Sequence, residues 1–181
     1  MEILVPILSA AIRSGTPILY ATLGEILTEK AGILNLGLEG LMLLGAFSGF
    51  SVTMMTGNPW LGLVAAVAAG LAVSAIHAFL CVTMGANQVV SGLAITMFGT
   101  GLSALLGKAY VGETIKGIGP LPVPLLSRIP VAGPVLFNHD PLVYASYFLV
   151  GFLCWFIVST RWGLTLRAVG ENPRAVDSAG L

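Results

Sequence analysis

Residues 56–88 read TGNPWLGLVAAVAAGLAVSAIHAFLCVTMGANQ, and this stretch decides the fold class. Residues 60–84 within it are apolar and carry no charged side chain. A helix of about 20 residues is long enough to cross a bilayer. The TGNP and GANQ segments that flank the run are typical of turns. We therefore predict a transmembrane helix between two tight turns.

The absence of charge extends beyond this helix. Residues 40–107 contain no Asp, Glu, Lys or Arg, and only 9% of the 181 residues are charged whereas 56% are hydrophobic. A water-soluble surface cannot be built from such a sequence. We predict one domain over residues 1–181, an all-α, polytopic transmembrane helix bundle. With a net charge of zero and no basic run, nucleic acid is excluded as a partner.

Five apolar segments are predicted to span the membrane. The first, residues 3–27, carries Arg13 and Glu25 and could instead combine an interfacial piece with a span; we interpret it as one span. The remaining four are residues 36–55, 60–84, 89–107 and 142–160.

Small residues recur at every fourth position in these spans, which favours close approach of helix backbones. We predict that such ridges pack against neighbouring helices, in a bundle that either is static or slides. The ridges are Gly62, Ala66, Gly70, Ser74 and Ala78; Gly45 and Gly49; and Gly99, Ser103 and Gly107.

The distribution of basic residues predicts the topology. Arg161, Arg167 and Arg174 follow the last span and indicate that this end is cytoplasmic. Counting back, the Gly- and Pro-rich residues 108–140 form an extracytoplasmic loop, with a short surface helix expected near Leu125. The N-terminus is then also outside, and the GANQ turn is inside.

Few polar residues lie within the spans. Asn35 and Glu39 are one helical turn apart and would share a face. They either line a translocation path or mark a helix start, where Glu39 complements the helix dipole. His77, with Ser74 one turn away, is interpreted as a hydrogen-bonded packing residue rather than a catalytic one.

The sequence contains no motif for catalysis or nucleotide binding. We found no nucleophile motif, HExxH, Walker A or Rossmann glycine pattern. Cys81 and Cys154 lie in apolar segments and are interpreted as small hydrophobic residues, without a disulfide or metal site. The chain is therefore predicted not to be an enzyme and to hold no cofactor.

The closing stretch, residues 161–181, gathers the charge that the spans lack. Gly163 is predicted to end the last span, and Asn172 followed by Pro173 is typical of a helix start. Gly180 would stop this second helix. Residues four or three apart could form ion pairs, namely Arg167 with Glu171 and Arg174 with Asp177. The alternative is a solvated loop.

Three segments resemble a known transporter family. GEILTEKAGILNLGLEGLMLLGAFSGF (24–50), ANQVVSGLAITMFGTGLS (86–103) and GLTLRAVGENPRAVDSAGL (163–181) are similar to the permease subunit of ABC importers of the branched-chain amino acid and simple-sugar group. Within that group, NLGLEG (35–40) resembles the nucleoside-type permeases. The resemblance covers almost the whole chain.

The resemblance implies a function, partners and a set of site residues. The chain would be a permease subunit in a bacterial cell membrane that imports nucleosides or a related small polar solute. It would work with a second permease subunit, with ATPase subunits that bind and hydrolyse ATP, and with an extracytoplasmic substrate-binding lipoprotein. Residues 161–181 would be the coupling helix that contacts the ATPase through Gly163, Arg167, Gly170, Glu171, Asn172, Pro173, Arg174, Asp177 and Gly180.

Two expectations follow from comparing the chain with that group. Its members continue with further spans beyond the position of Leu181, so this chain is expected to be C-terminally truncated. The competing hypothesis is an ion-coupled secondary transporter or channel subunit, which is expected to keep coupling carboxylates in its spans. Glu39 is the clear candidate for such a carboxylate.

Overall fold

The computed structural model describes residues 3–124, 126–128 and 132–180, and within them the fold is all-α and polytopic, as predicted. Five of the described helices are long and apolar enough to cross a membrane. They are α1 (Leu4–Lys30), α2 (Leu38–Thr56), α3 (Pro59–Ala78) with a π-helical continuation (Phe79–Thr83), α4 (Gln88–Gly107) with a 3₁₀ continuation (Lys108–Tyr110), and α6 (Pro141–Ser159). The first segment is one continuous helix, so the interpretation of residues 3–27 as a single span is confirmed.

Shorter elements make up the rest of the described chain. After the strand β1 (Leu121–Pro122) come a 3₁₀ turn (Leu126–Arg128), the short helix α5 (Ala132–Leu136) and the strand β2 (Asn138–His139). Two further helices follow the last span, α7 (Arg161–Glu171) and α8 (Pro173–Ser178). The surface helix expected near Leu125 concerns a position outside the described residues.

The turns predicted from TGNP and GANQ are confirmed, and side chains define the helix starts. Gly57, with φ of 68°, ends α2 in the left-handed region. The Oδ1 atom of Asn58 accepts a hydrogen bond from the Trp60 N–H at 3.0 Å. Asn87 caps α4 in the same way, accepting from the N–H groups of Val89 and Val90. These caps satisfy N–H groups that a helix start leaves without an intrahelical partner.

The contacts divide the chain into two units, and residues 28–117 form one of them. In this unit α2 packs against both α3 and α4. The predicted contact through small residues is confirmed at the start of α3, where a Cβ atom on Gly49 would lie 3.3 Å from the Gly62 carbonyl oxygen and 3.3 Å from Cβ of Ala66.

The ridge prediction is wrong at Gly70 and Gly107, where a Cβ atom would meet no atom of the described residues within 4 Å. Helices that cross at an angle stay in contact over only a few turns. The regular spacing of small residues along these helices therefore extends beyond the turns at which the helices touch. The prediction is confirmed at Gly99, where a Cβ atom would lie 2.5 Å from the Gly40 carbonyl oxygen, although Gly40 was not predicted as its partner.

The second unit comprises residues 1–27 and 118–181. Here the Tyr20 hydroxyl of α1 donates a hydrogen bond to the Leu142 carbonyl at the start of α6, at 2.7 Å. Asp140 caps α6 by accepting from the Leu142 N–H at 3.0 Å. Just before it, β1 pairs antiparallel with β2, with Leu121 opposite His139. The end of the predicted loop is thus an ordered connection into the last span.

We predict that Gly99→Ala destabilises the unit formed by residues 28–117. The added methyl group would meet the Gly40 backbone of α2, and overpacking of this kind costs about 1–3 kcal/mol. Thermal unfolding of the detergent-solubilised protein, followed by tryptophan fluorescence, should therefore shift to lower temperature.

Gly101→Ala is the matched control on the same helix, because its Cβ would meet nothing within 4 Å among the described atoms. It should leave the unfolding temperature unchanged or slightly higher, since alanine favours helices. Equal unfolding temperatures for the two variants would contradict the close packing of α2 on α4.

Candidate functional site

The connection between the last span and the charged end of the chain is short and tightly held. The last span ends at Ser159, and Thr160 begins α7 by accepting a hydrogen bond from the Gly163 N–H at 3.0 Å. The same hydroxyl donates to the Phe156 carbonyl at 2.6 Å. The prediction that Gly163 ends the span is wrong, because the Thr160 cap already supplies the helix start.

Gly163 instead allows α7 to lie directly against the end of α6. A Cβ atom at this position would meet the Phe156 carbonyl oxygen and would lie 2.7 Å from Cα of Ile157. Any side chain here would force the two helices apart. The angle between the span and α7 is thus determined by backbone contact.

The second helix of this region starts at Asn172, as predicted. Asn172 is extended, with φ of −156° and ψ of 93°, and its Oδ1 accepts from the Ala175 N–H at 3.2 Å. Pro173 occupies the first turn, and Gly180, with φ of 73°, follows the helix end. Val176 is the buried residue of α8. The charged end therefore consists of two helices, α7 and α8, that meet at a capped corner, here called the α7–α8 corner.

The predicted ion pairs are not formed. Within residues 161–180, all of which are described, no ion pair joins Arg167 to Glu171 or Arg174 to Asp177. Exposed pairs of long side chains contribute little to stability, since ordering them costs entropy. Glu171, Arg174 and Asp177 are exposed, whereas the Nε atom of Arg167 is buried without a hydrogen-bond partner. The exposed charges are available to a partner.

Asn35 and Glu39 do not share a helix face. Asn35 is buried and lies in the non-helical residues before α2, where its Oδ1 accepts from the Gly37 N–H at 2.9 Å. Glu39 is exposed in the first turn of α2. The helix begins only at Leu38, so the assumption of a helical spacing between the two residues is wrong. Their role in a translocation path stays a prediction.

Side chains of α4 hold the break between α1 and α2. The Leu34 N–H donates to Oε1 of Gln88 at 2.8 Å, and Nε2 of Gln88 lies 3.4 Å from the Gly32 carbonyl oxygen. The Thr96 hydroxyl donates to the Leu36 carbonyl at 2.8 Å. Backbone groups outside a helix need other hydrogen-bond partners. These two side chains therefore stabilise the non-helical connection between α1 and α2.

His77 is a hydrogen-bonded packing residue, as predicted, but its partner is on another helix. The side chain is 3% exposed, and Nδ1 lies 2.9 Å from the Ser91 hydroxyl of α4. Cys81, in the π-helical continuation of α3, has its sulfur 3.7 Å from Nε2. Sequence reasoning considered only Ser74, because contacts between helices cannot be derived from spacing within one helix.

An aromatic cleft between α2 and the end of α4 was not predicted. It has a volume of about 590 Å³. The rings of Phe47 and Phe50 lie 6.1 Å and 5.8 Å from the ring of Tyr110, both edge to face. Phe47 and Phe50 are three residues apart, a spacing that places both on one face of α2 and could have been recognised in the sequence. No sequence pattern connects them with Tyr110. The lining residues are Leu43, Ala46, Phe47, Phe50, Thr100, Ser103, Ala104, Gly107, Tyr110, Val111 and Glu113.

Known proteins with a similar sequence are transporter permeases. The family described as the permease component of branched-chain amino acid transport systems matches residues 7–181. An ABC transporter permease protein of Haloferax volcanii, provisionally named for glucose, is 40% identical over 97% of this chain and 54% of its own length. The guanosine ABC transporter permease protein of Bacillus subtilis is 36% identical over 100% of this chain and 60% of its own. The nucleoside ABC transporter permease protein of Lactococcus lactis is 35% identical over 92% and 56%.

The chain therefore spans a little more than half the length of these curated relatives. No solved structure matches it.

We predict that Gly163→Ala loosens the junction between α6 and α7, because the methyl group would press on the Phe156 carbonyl. Limited trypsin digestion should then cut at Arg161 and Arg167 several-fold faster than in the parent protein. Gly151→Ala on α6 is the control, since its Cβ would meet no described atom within 4 Å. If both variants are cut at the parent rate, the backbone contact does not hold the junction.

Proposed function

The chain belongs to the family of permease components of branched-chain amino acid transport systems, and from this premise we propose that it works as the transmembrane permease subunit of an ABC importer. The proposed cargo is a nucleoside or a related small polar solute. This cargo is supported by the names of the relatives from Bacillus subtilis and Lactococcus lactis, which specify guanosine and nucleosides. The chain is a multi-pass protein of the cell membrane.

The observation that carries the proposal is the α7–α8 corner, which combines a rigid attachment with an exposed charged surface. A permease must pass a movement of an ATPase to its spans, and a loosely tethered loop would absorb that movement. Gly163 and Thr160 instead join α7 to the last span by backbone contact and a cap. We infer that the α7–α8 corner is the element on which the ATPase subunits press.

The residues of the corner divide into two proposed roles. Asn172, Pro173 and Gly180 determine the shape, through a cap, a first-turn proline and a helix stop. The residues that face the partner would be charged ones, since they are exposed and rigidly placed. These are Glu171 of α7 and Arg174 and Asp177 of α8, whereas Arg167 and Gly170 of α7 are half-buried and would help to shape this surface.

The chemistry of ATP hydrolysis would belong entirely to the partner subunits. Closure of the ATPase dimer around ATP would draw two such corners together, one from each permease subunit, and the spans would open toward the other side. An extracytoplasmic binding lipoprotein would deliver the solute to the side of residues 108–140. On this proposal the chain itself binds no cofactor.

The alternative of an ion-coupled carrier has less support. Carriers of that kind place ion-binding carboxylates at the middle of the membrane, next to broken helices. Glu39 is exposed in the first turn of α2, where a carboxylate is stabilised by the helix dipole. Its position at a helix end is therefore accounted for without ion coupling.

The coupling proposal predicts that Asn172→Ala weakens binding to the ATPase. Losing an N-cap costs about 1 kcal/mol, and α8 is too short to keep its shape without it. Co-purification of the ATPase with the permease should fall several-fold, while a quantitative membrane blot shows an unchanged amount of permease.

Asn172→Ser is the matched control, because serine keeps an oxygen that can accept from the Ala175 N–H. It should retain most of the binding. If Asn172→Ala co-purifies with the ATPase as well as the parent does, the capped corner is not the coupling element.

The topology predicts opposite labelling of two engineered cysteines. In a background with Cys81→Ala and Cys154→Ala, Gly117→Cys should react with an impermeant thiol reagent added to intact cells, because residue 117 is exposed in the loop proposed to be outside. Ser178→Cys in α8 should react only after permeabilisation. The reverse pattern would refute the topology and place the α7–α8 corner on the wrong side for an ATPase.

A further inference from the structure

We propose that the aromatic cleft between α2 and α4 is the site where the permease contacts the base of a nucleoside during passage. This inference rests on the proposed function and adds the place and the chemistry of substrate contact. The cleft belongs entirely to the unit of residues 28–117, and the α7–α8 corner does not. Its volume of about 590 Å³ lies within the range of small-molecule sites.

The aromatic wall is held in position before any ligand arrives. The Tyr110 hydroxyl lies 3.1 Å from the Ser51 hydroxyl of α2, within hydrogen-bond distance. The same ring stands edge to face against Phe47 and Phe50, an arrangement that aromatic pairs prefer. The three rings are thus held in fixed positions at steep angles to one another, and each offers its own face. An aromatic ring face held in this way can stack on any nucleobase, since every base has a π-face.

Polar groups of the cleft lining supply acceptors for hydrogen bonds. The Thr100 hydroxyl donates to the Thr96 carbonyl at 2.7 Å, and the Ser103 hydroxyl donates to the Thr100 carbonyl at 3.2 Å. Each hydroxyl has then used its proton, and its oxygen can still accept. Glu113 adds an exposed carboxyl group at the edge of the lining. The groups that fit such acceptors are ribose hydroxyls and the amino groups of bases.

This combination favours a nucleoside over a hexose or a lipid chain. Most of the lining is apolar, with polar groups at Thr100, Ser103, Tyr110 and Glu113. A hexose carries hydroxyls around its whole ring, and several of them would be buried here without partners, which is costly. A lipid chain has no polar group that could form hydrogen bonds with these four side chains. A nucleoside presents a flat base to the rings and a few hydroxyls to the acceptors.

The position of the cleft fits a path through the membrane. It is lined by the middle of α2 and by the end of α4 together with the following turn at Tyr110 to Glu113. The proposed topology puts that end of α4 on the extracytoplasmic side. A solute released by a binding protein would meet the aromatic wall early in its passage.

The test uses the assembled transporter, with full-length permease, ATPase and binding protein in membrane vesicles. Phe50→Leu should lower the rate of ATP-dependent [³H]adenosine uptake about tenfold, because loss of a stacking partner weakens contact with the base. Phe98→Leu is the matched control, since Phe98 on α4 is exposed and does not line the cleft. It should transport adenosine at the parent rate. Membrane abundance and ATPase co-purification should be unchanged in both variants.

A second measurement detects occupancy directly. In the background without Cys81 and Cys154, Ser103→Cys should react with a small water-soluble thiol reagent, and adenosine should slow this reaction at least fivefold. Glucose at the same concentration should not slow it. Equal protection by glucose would overturn the assignment to nucleosides. A thiol that never reacts would indicate a cleft closed or filled by lipid, which also overturns it.

The two proposals fail in different ways. If the parent transporter imports adenosine and Phe50→Leu behaves like Phe98→Leu, the cleft is not the contact site while the importer function stands. If the parent complex shows no ATP-dependent uptake of either adenosine or guanosine, the proposed substrate class itself is wrong, and the inference about the cleft falls with it.

Discussion

The non-helical residues between α1 and α2 have peptide groups that no helix pairs, and side chains of α4 supply their hydrogen-bond partners. Residues 31–37 are not helical and lie between the charged end of α1, at Glu29 and Lys30, and Glu39 in the first turn of α2. Gln88 and Thr96 of α4 supply the missing donors and acceptors. Because both side chains come from one helix, these hydrogen bonds form only when α4 lies beside the break. The fold of residues 28–117 therefore depends on this set of side-chain bonds to the backbone.

Close packing of glycines is the second condition for the same contact. Gly40 and Gly99 allow the backbones of α2 and α4 to touch, so that Thr96 can reach the non-helical segment. A driving force from water is absent between helices in lipid, and dispersion and hydrogen bonds have to hold them together. Farther along, the two helices frame the aromatic cleft. The contact of α2 with α4 at Gly40 and Gly99 thus positions the aromatic cleft farther along the same two helices.

Close backbone contact through a glycine also occurs in the other unit. Gly163 brings the backbone of α7 against the end of α6. Thr160 caps α7, and its hydroxyl also donates a hydrogen bond to the Phe156 carbonyl of α6. The charged corner that follows is consequently attached without a flexible linker. On the proposed function, a force on the corner would reach the last span through this backbone contact.

The sequence by itself determined the features that depend on local chemistry. Long apolar runs located every span, and Asn172 with Pro173 located the start of α8, because hydrophobic length and capping need only neighbouring residues. The tertiary structure alone decided which residues meet. Regular small-residue spacing suggested a contact at Gly70 that is absent from the described structure, and the meeting of Tyr110 with two phenylalanines of α2 was not foreseen. Contacts between helices depend on crossing angle and rotation, which the periodicity of a single helix does not contain.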